Sequence, residues 1–391
     1  MSGDLVERIE TFVISIPRDT PYLGPPAAGE TVNERGYIVR KGNRSIYPTS
    51  DVSVLVKATT RDGAVGWGES YAICAPQAIV SIIDDLLAPC VVGRDPHDVE
   101  VIHEDLYDMM RVRGFTGGFY VDALAGVDIA LWDLRGKLTG LPLCKLLGGR
   151  RHDTIPAYVS GLPRPTLAER ADLATEFTAR GFKGLKFAGA VSHEGIAREA
   201  VALRRAVGDE VDLMVDLHWK FTADEAVSLL DRLTPVGLYF AEAPCQTEDV
   251  EGLASVTKRS RTPIAGGEEW HTVFEARPRL EARCVSVVQP EMGHTGVTQF
   301  MRIGRMAEAF HCRIIPHASI GIGIFQAASL HAAASLLNVP YHEYQHSVFD
   351  KNLSLLSGDM ACVDGAFRVP SGPGLGVAPL EAAFDHVRKV Q

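Results

Sequence analysis

Three carboxylates recur at a fixed interval in this chain, and each stands at the end of a short apolar run. Asp216 ends the run DLMVD, Glu242 ends LYFAE, and Glu268 follows TPIAGG, with 26 residues from each acid to the next. Sequence typical of a helix follows each acid. Because parallel strands need a crossover of a dozen or more residues, usually a helix, the interval predicts that the three acids lie at the same end of one parallel sheet.

The same interval separates two further polar residues. His317 closes the apolar run RIIPH, and Glu343 lies 26 residues later in the stretch YHEYQ. In a closed (β/α)8 barrel, strand ends of this kind gather the catalytic residues. Three carboxylates from consecutive strands can surround one hard divalent cation, since Mg²⁺ prefers oxygen ligands in octahedral geometry. The sequence therefore predicts one Mg²⁺ site with three carboxylate ligands, Asp216, Glu242 and Glu268.

Composition limits the partners that the chain can have. The 391 residues carry 39 Lys and Arg against 49 Asp and Glu, a formal charge of −10, which disfavours nucleic acid or an anionic membrane as a partner. The seven Cys include no CxxC pair, so neither a zinc cluster nor a disulfide framework is expected. The first residues lack the apolar segment of a signal peptide, and no stretch reaches transmembrane length. We expect a cytoplasmic protein that binds a small molecule.

The order of the predicted elements indicates an α/β protein with two structural units. Residues 5–16 and 52–59 alternate like half-buried strands, and the segment 17–50 between them is rich in Pro, Gly and Arg. A long amphipathic helix from Tyr120 is stopped by Gly140, and eight strand-like runs then alternate with helix-like runs, as parallel β/α architecture requires. The expected division is 1–125 for an α+β unit, 126–350 for a barrel, and 351–391 for a tail that returns to the first unit.

Four stretches of the chain together resemble the enolase superfamily, in its mandelate racemase and muconate lactonizing enzyme branch. They are ALAGVDIALWDLRGKLTGLPLCKLLGG at 123–149, the series of three acids, PIAGGEEW at 263–270 and VPSGPGLGV at 369–377. The resemblance implies a modified (β/α)7β barrel under an N-terminal α+β capping domain that the C-terminal tail completes. It also implies one essential Mg²⁺ per subunit and a reaction that removes the proton next to a carboxylate to form an enediolate. A loop of the capping domain, here residues 17–50, would cover the substrate, and the protein would be a homo-oligomer.

The second barrel strand departs from the commonest pattern of that family. Many members carry Lys-x-Lys there, and the second lysine serves as a base, but this chain reads Lys186, Phe187, Ala188. Lys186 matches the first lysine, for which the resemblance implies a place near the substrate carboxylate and the metal. One strand later, Asp216 is followed by Leu217 and His218. A histidine at that place acts as acid or base in galactonate dehydratase-like members, so His218 is expected to replace the missing lysine.

The remaining site residues are expected at the sixth, seventh and eighth strands. His317 matches the family's catalytic histidine, whose other ring nitrogen is normally held by a carboxylate. Glu291 is the expected partner, Gln289 is the alternative, and His294 lies close enough in sequence to complicate the assignment. Glu343 matches a glutamate that hydrogen-bonds the enediolate when it is protonated.

These residues together favour dehydration of a sugar acid, an aldonate or an aldarate. We expect His317 to take the proton next to the carboxylate, His218 to protonate the departing 3-hydroxyl, and Lys186 to add positive charge, so that the product is a 2-keto-3-deoxy acid. The same groups could instead catalyse racemisation, epimerisation or cycloisomerisation. An alternative of another class is a barrel that binds a sugar acid without chemistry, and turnover of a sugar-acid library discriminates between the two.

Overall fold

A three-stranded antiparallel sheet forms the N-terminal part of the structure, a computed structural model that describes residues 4–19, 21, 23–192, 194–318 and 321–388. Its strand order is β1 (Val6–Pro17), β4 (Ser50–Thr60) and β5 (Val65–Tyr71). The segment 17–50 also contains a short antiparallel ribbon, β2 (Tyr37–Val39) with β3 (Ile46–Pro48). The ribbon was not expected from the sequence, because its strands are only three residues long and show no alternation.

Helices cover one side of this sheet. They are α1 (Pro76–Ile82), which continues through a π-helical stretch into α2 (Ala88–Val91), then α3 (Val99–Arg111) and α4 (Phe119–Thr139). Gly140, with φ of 68°, ends α4 in the left-handed conformation that glycine adopts without strain. The predicted helix is thus present, but it is not amphipathic, since 16 of its 21 residues are buried.

Close packing on both sides explains why α4 is buried all round. A Cβ atom at Gly68 of β5 would lie 1.9 Å from the carbonyl oxygen of Gly126, so the sheet and the helix can approach only because residue 68 is glycine. On its other side the helix is joined to the barrel, where Asp128 accepts a hydrogen bond of 2.9 Å from the backbone N–H of Thr298. The helix therefore serves as the common core of the capping sheet and the barrel.

The barrel consists of eight parallel strands joined by seven helices. The strands are β6 (Thr154–Ser160), β7 (Gly184–Ala188), β8 (Asp212–Asp216), β9 (Phe240–Glu242), β10 (Ile264–Gly266), β11 (Val287–Val288), β12 (Arg313–Ile314) and β13 (His342–Tyr344). The helices between them are α6 (Leu167–Ala179), α7 (Ile196–Val207), α8 (Ala223–Leu233), α9 (Val250–Arg259), α10 (Val273–Glu281), α11 (Met292–Ala309) and α12 (Ile324–Ser335), and the short α5 (Leu143–Leu146) precedes β6.

The barrel closes between its last strand and its first. β13 pairs in parallel with β6, and the backbone N–H of Glu343 donates a 3.2 Å hydrogen bond to the carbonyl of Pro316, across the gap between β12 and β13. Eight strands with seven intervening helices make this a (β/α)7β barrel. The fold class that the sequence predicted is confirmed.

The C-terminal tail contacts both parts of the molecule. Its elements are α13 (His346–Asn352), β14 (Leu356–Ser357), β15 (Cys362–Val363), β16 (Ala366–Arg368), β17 (Ala378–Pro379) and α14 (Glu381–Phe384). β16 pairs antiparallel with barrel strand β6, whereas the N–H of Ser15 in β1 donates to the carbonyl of His386. The boundaries expected after residues 125 and 350 both fall inside helices, and the three-part division stays a prediction.

Among the residues whose structure is described, no single helix is long and apolar enough to cross a membrane. The helix pair 76–91 and 96–111, which is bent by 118°, reaches that length and composition only when its two members are taken together.

Candidate active site

Two layers of inward-facing side chains define the carboxyl end of the barrel. The lower layer is an apolar cluster with one residue on or beside each of seven strands, namely Tyr158, Met214, Phe240, Ala265, Val287, Ile315 and Tyr341. Because side chains alternate with a period of two along a strand, the residue two positions later faces inward again. Those positions are polar on six of the same strands and hold Ser160, Asp216, Glu242, Gln289, His317 and Glu343. The polar layer is therefore a direct continuation of the barrel core.

Asp216 and Glu242 lie side by side, since they are paired residues of β8 and β9. Glu268 follows β10 after Gly267, whose φ of 107° requires glycine and turns the next side chain toward the same place. Ligand atoms of Glu242, Glu268 and His317 lie within 4.8 Å of one another. Asp216 is not part of this group of three, but its negative charge acts on the carboxyls of both Glu242 and Glu268, so the three predicted metal ligands lie near one another.

Charge in this cluster is unbalanced in a way that suits a divalent cation. Burial raises the pKa of Glu268 well above its usual value, and the negative charges of Glu242 and Asp216 add to this effect against the opposing charge of His317. Oε1 of Glu242 is fully buried and accepts no hydrogen bond from any residue that the structure describes. Three carboxylates that lie close together, one of them with an oxygen that accepts no hydrogen bond, are hard ligands of the kind that Mg²⁺ prefers, so the residues fit the Mg²⁺ that the resemblance implies.

Lys186 of β7 lies between two acids of the polar layer. Its Nζ atom is 2.6 Å from Oε2 of Glu242 and 3.0 Å from Oε1 of Glu343. Burial alone would lower the pKa of the ammonium, but the charges of these two acids raise it well above its usual value. Lys186 in turn holds the pKa of Glu242 at about 2 despite the burial of that carboxyl. These contacts favour a charged lysine, and its role beside the substrate carboxylate stays a prediction.

His317 is held by Glu291. Its Nδ1 atom lies 2.7 Å from Oε2 of Glu291, and its Nε2 atom lies 3.5 Å from Glu268 and 3.6 Å from Glu343. Of the alternatives, the side chain of Gln289 makes no hydrogen bond to the described residues, and His294 faces another carboxylate. With Nδ1–H donated to Glu291, the Nε2 lone pair points into the barrel mouth, as a proton acceptor there requires.

The surrounding acids change the proton affinity of His317. Burial would lower the pKa of its imidazole, but the charges of Glu268 and Glu343 raise the pKa well above the usual value. A divalent cation among the acids would offset those charges and bring the imidazole back toward its basic, neutral form. Without such a cation, the neighbouring acids favour the protonated imidazole.

His218 is brought over Asp216 by an unusual backbone turn. Both His218 and Trp219 have positive φ, 50° and 51°, so the chain reverses directly after β8. The N–H of His218 donates a 2.8 Å hydrogen bond to Oδ1 of Asp216, and the Nε2 atom lies 3.1 Å from Oδ2. β8 and β12 are the third and seventh of eight strands, and hence His218 and His317 stand on opposite sides of the barrel mouth.

The surroundings of Glu343 favour a different charge state from the one that the resemblance implies. Its Oε2 atom accepts a 2.8 Å hydrogen bond from the N–H of Ala318. Burial would raise its pKa, but the positive charges of Lys186 and His317 lower it. These two cations favour the ionised carboxyl, and the expected role of Glu343 as a protonated hydrogen-bond donor stays a prediction.

Sequence reasoning did not single out Tyr47 of β3. The side chain is buried, its hydroxyl accepts a 2.7 Å hydrogen bond from Nδ2 of Asn43, and burial together with the nearby charges of Asp216 and Glu268 raises the pKa of the phenol. The segment 17–50 therefore delivers an aromatic hydroxyl to the acid cluster. The only signal in the sequence was a tyrosine in an irregular stretch, which carries no positional information.

Two family models match most of the chain. Residues 48–148 match the mandelate racemase / muconate lactonizing enzyme N-terminal domain, and residues 169–383 match the enolase C-terminal domain-like family. With the barrel and the polar layer described above, the chain belongs to the mandelate racemase and muconate lactonizing enzyme branch of the enolase superfamily. It is an enzyme, a carbon–oxygen lyase or an isomerase, as the sequence predicted.

Relatives with curated names include both of these reaction types. D-galactarolactone cycloisomerase of Agrobacterium fabrum is 32% identical over 83% of this chain and 88% of its own length. Arabinonate dehydratase of Saccharolobus solfataricus is 32% identical over 86% of this chain and 90% of its own length. Among solved structures, a Sinorhizobium meliloti protein is 57% identical with a TM-score of 0.98, and covers 99% of this chain and 100% of its own. An enolase-superfamily member from Agrobacterium tumefaciens is 50% identical with a TM-score of 0.97 over the same shares.

Proposed function

We propose that the protein is a Mg²⁺-dependent dehydratase of a sugar acid, an aldonate or an aldarate. The observation that carries the proposal is the placement of two imidazoles, His218 and His317, on opposite sides of a barrel mouth that holds three carboxylates. Dehydration of this kind needs one group to take a proton and another to supply one at the neighbouring carbon. Two curated relatives are named arabinonate dehydratase and D-gluconate dehydratase, which supports a sugar acid as substrate.

The metal would be held by Asp216, Glu242 and Glu268, one ion per subunit. When bound there it supplies positive charge that meets the negative charge developing on the substrate carboxylate. Lys186 contributes a second, permanent positive charge beside Glu242. Such help is required because a proton next to a carboxylate is a very weak acid, so that its removal depends on preorganised charge.

The protein side chains then carry the two proton transfers. Nε2 of His317 takes the proton from C2, and the electron pair of that C–H bond forms the enediolate. As the enediolate collapses, the C3–O bond breaks, and His218 donates a proton so that the hydroxyl leaves as water. The enol that remains tautomerises to the 2-keto-3-deoxy acid. Glu291 keeps the Nε2 atom of His317 directed at the substrate throughout, because its carboxylate accepts a hydrogen bond from Nδ1–H.

Cycloisomerisation is the second candidate. Two curated relatives are named cycloisomerases, of galactarolactone and of 3,6-anhydro-L-galactonate. The same proton removal by His317 would there expel a ring oxygen instead of a hydroxyl, and the leaving oxygen would stay attached to the product. The chemistry at C2 is common to both reactions, so the structure of the substrate decides between them.

A substrate screen tests both candidates. The purified protein with Mg²⁺ is incubated with aldonates, aldarates, sugar-acid lactones and anhydro sugar acids, and 2-keto acid formation and mass change are measured. Loss of 18 mass units with a 2-keto product supports dehydration, a 2-keto product of unchanged mass supports cycloisomerisation, and an isomer without a keto group indicates racemisation or epimerisation and contradicts both candidates. If the protein binds these compounds but turns none over and exchanges no C2 proton in D₂O, it is a binding barrel and the proposal is wrong. A homo-oligomer is also expected, and light scattering of the same sample measures it.

A further inference from the structure

A second group of potential metal ligands lies outside the barrel mouth, between the capping helix α4 and the barrel. It consists of Asp122 in the first turn of α4, His271 between β10 and α10, and His294 near the start of α11. One ligand atom of each residue lies within 4.8 Å of the others. The side chains retain a small exposed fraction, 6% for Asp122, 14% for His271 and 15% for His294, so an ion could enter from solvent.

The distances between the ligand atoms are close to those of a metal site. Oδ1 of Asp122 lies 2.5 Å from Nδ1 of His294 and 3.3 Å from Nε2 of His271. Ligands about 2.0 Å from a tetrahedral zinc ion are about 3.3 Å apart, so the contact with His271 already has the spacing of a metal site. The shorter contact with His294 is a hydrogen bond, which must lengthen by somewhat less than 1 Å to admit an ion.

Both imidazoles are held in orientation by groups behind them. Oε2 of Glu275 lies 3.4 Å from Nδ1 of His271, and a carboxylate on the far nitrogen is the arrangement that fixes the tautomer of metal-binding histidines. The ring of Tyr71, at the end of β5, lies 4.0 Å from the ring of His294 and restricts its rotation. The N–H of Gly118 donates to Nε2 of His271 at 3.0 Å, and an incoming ion would have to displace this hydrogen bond.

We propose that Asp122, His271 and His294 bind a divalent transition metal ion, with Zn²⁺ as the best fit, and that this ion ties the capping helix to the barrel. Two imidazoles and one carboxylate suit Zn²⁺ and disfavour Mg²⁺, which prefers oxygen ligands. Three protein ligands leave a fourth position for water. The site is separate from the acid cluster of the barrel mouth in both residues and ligand type, so its occupancy does not depend on the proposed activity.

Zn²⁺ binding to the full-length protein tests the proposal. The protein is kept in a large excess of Mg²⁺, Zn²⁺ is titrated in by calorimetry, and thermal unfolding is followed with and without Zn²⁺. We expect one Zn²⁺ per chain and a higher unfolding temperature, because an ion that binds only the folded state stabilises it. His271→Ala and His294→Ala should each weaken binding by at least tenfold, and Glu275→Gln by about tenfold, as outer-shell changes do.

Controls separate this site from others. His311→Asn, at an exposed histidine beyond the opposite end of α11 from His294, should bind Zn²⁺ normally. Glu242→Gln should also keep the Zn²⁺ site, since it alters only the barrel acids. Asp122→Asn retains the shape of the side chain and should lose Zn²⁺ even if the alanine variants unfold. Three results would each overturn the proposal and leave the cluster as a hydrogen-bonded contact only. They are no Zn²⁺ binding by the wild-type protein in excess Mg²⁺, unchanged Zn²⁺ affinity in Asp122→Asn, and loss of Zn²⁺ binding in Glu242→Gln.

Discussion

Glu242 is the residue on which the charge balance of the candidate site depends. It is completely buried, contacts Lys186 with one oxygen, and leaves the other without a hydrogen-bond donor among the described residues. A buried carboxylate that keeps a low pKa is an anion ready for a cation, whereas a neutral amide at the same place would offer a weaker ligand and leave Lys186 partly unpaired.

Glu242→Gln should therefore keep the fold and lose activity. We expect at least a hundredfold lower kcat/KM at saturating Mg²⁺, together with weaker Mg²⁺ binding in calorimetry, because one hard anionic ligand is removed. Glu251→Gln, on the exposed face of α9, is the matched control and should behave like the unaltered protein. Wild-type turnover by Glu242→Gln would show that the three acids are not the metal ligands.

The two histidines should differ in what their removal does to proton exchange. His317→Asn should abolish exchange of the C2 hydrogen with D₂O, because the group that takes that proton is lost. His218→Asn should retain exchange while water loss falls by at least a hundredfold, since only the leaving hydroxyl lacks its proton donor. NMR of the substrate measures both. The opposite pattern would exchange the two roles, and exchange that survives both substitutions would remove histidine from the mechanism.

At the scale of elements, strand β5 holds the N-terminus of helix α12. Glu69 is completely buried, and its two oxygens accept hydrogen bonds from four consecutive backbone N–H groups, those of residues 322–325, and from Oγ of Ser53. A carboxylate there satisfies N–H groups that have no partner inside the helix and also meets the positive end of the helix dipole. Through this contact the capping sheet is joined directly to the start of a barrel helix.

Glu69→Gln should destabilise the protein and disturb the site at the same time. Hydrogen bonds to a charged group contribute about 1.5–3 kcal/mol each at most. In the variant, the NH₂ group of the amide would face backbone N–H donors and could accept no hydrogen bond from them. We therefore expect the unfolding free energy to fall by about 3 kcal/mol. Urea denaturation measures this loss, and kcat should fall as well. Glu225→Gln, in the exposed capping box of α8, is the control and should have a much smaller effect. An unchanged urea midpoint would mean that the hydrogen bonds of Glu69 to the start of α12 do not contribute to stability.

At the scale of the whole molecule, two buried histidines link stability to pH. Burial lowers the pKa of both His331 and His342 to about 4. His331 is enclosed between the N–H of Cys144 and the carbonyl of Leu375, which suits a neutral imidazole and offers no partner for a second proton. The unfolded chain takes up these protons near pH 6.5, and the folded protein does so only near pH 4.

The sign of the effect follows from these values. Above about pH 6.5 both states hold neutral imidazoles and the full stability is present; as the pH falls from 6.5 toward 4, only the unfolded state gains protons, and stability is lost. Between pH 7 and pH 5 each histidine should cost about 2 kcal/mol of unfolding free energy. His317, whose pKa is raised, changes stability in the opposite direction over this range, so the contribution is measured as a difference between variants in urea denaturation at the two pH values, with His311→Asn as a control. His331→Gln should show about half of this histidine-dependent loss, and an equal loss in both variants would contradict the assignment.

The sequence was sufficient for the barrel and for the place of its polar layer. Strand and helix lengths repeat along the chain, and side chains alternate along each strand, so residues 26 apart at strand ends must meet at one end of the sheet. The family motifs around residues 123–149 and 263–270 predicted the capping domain and the series of three acids. These motifs could be read directly from the sequence because each is a local pattern of consecutive residues. The confirmed fold class and enzyme class rest on these regularities.

Only the tertiary structure decided which groups pair with one another. Glu291 rather than Gln289 meets His317 because of the way α11 begins, and Lys186 lies between Glu242 and Glu343 because the closed barrel brings the second, fourth and eighth strands around one centre. The burial of α4, predicted to be amphipathic, and the arrival of Tyr47 from the segment 17–50 also depend on packing. No spacing rule reaches across such contacts, because the distance along the chain between the partners is set by the whole fold rather than by a local repeat.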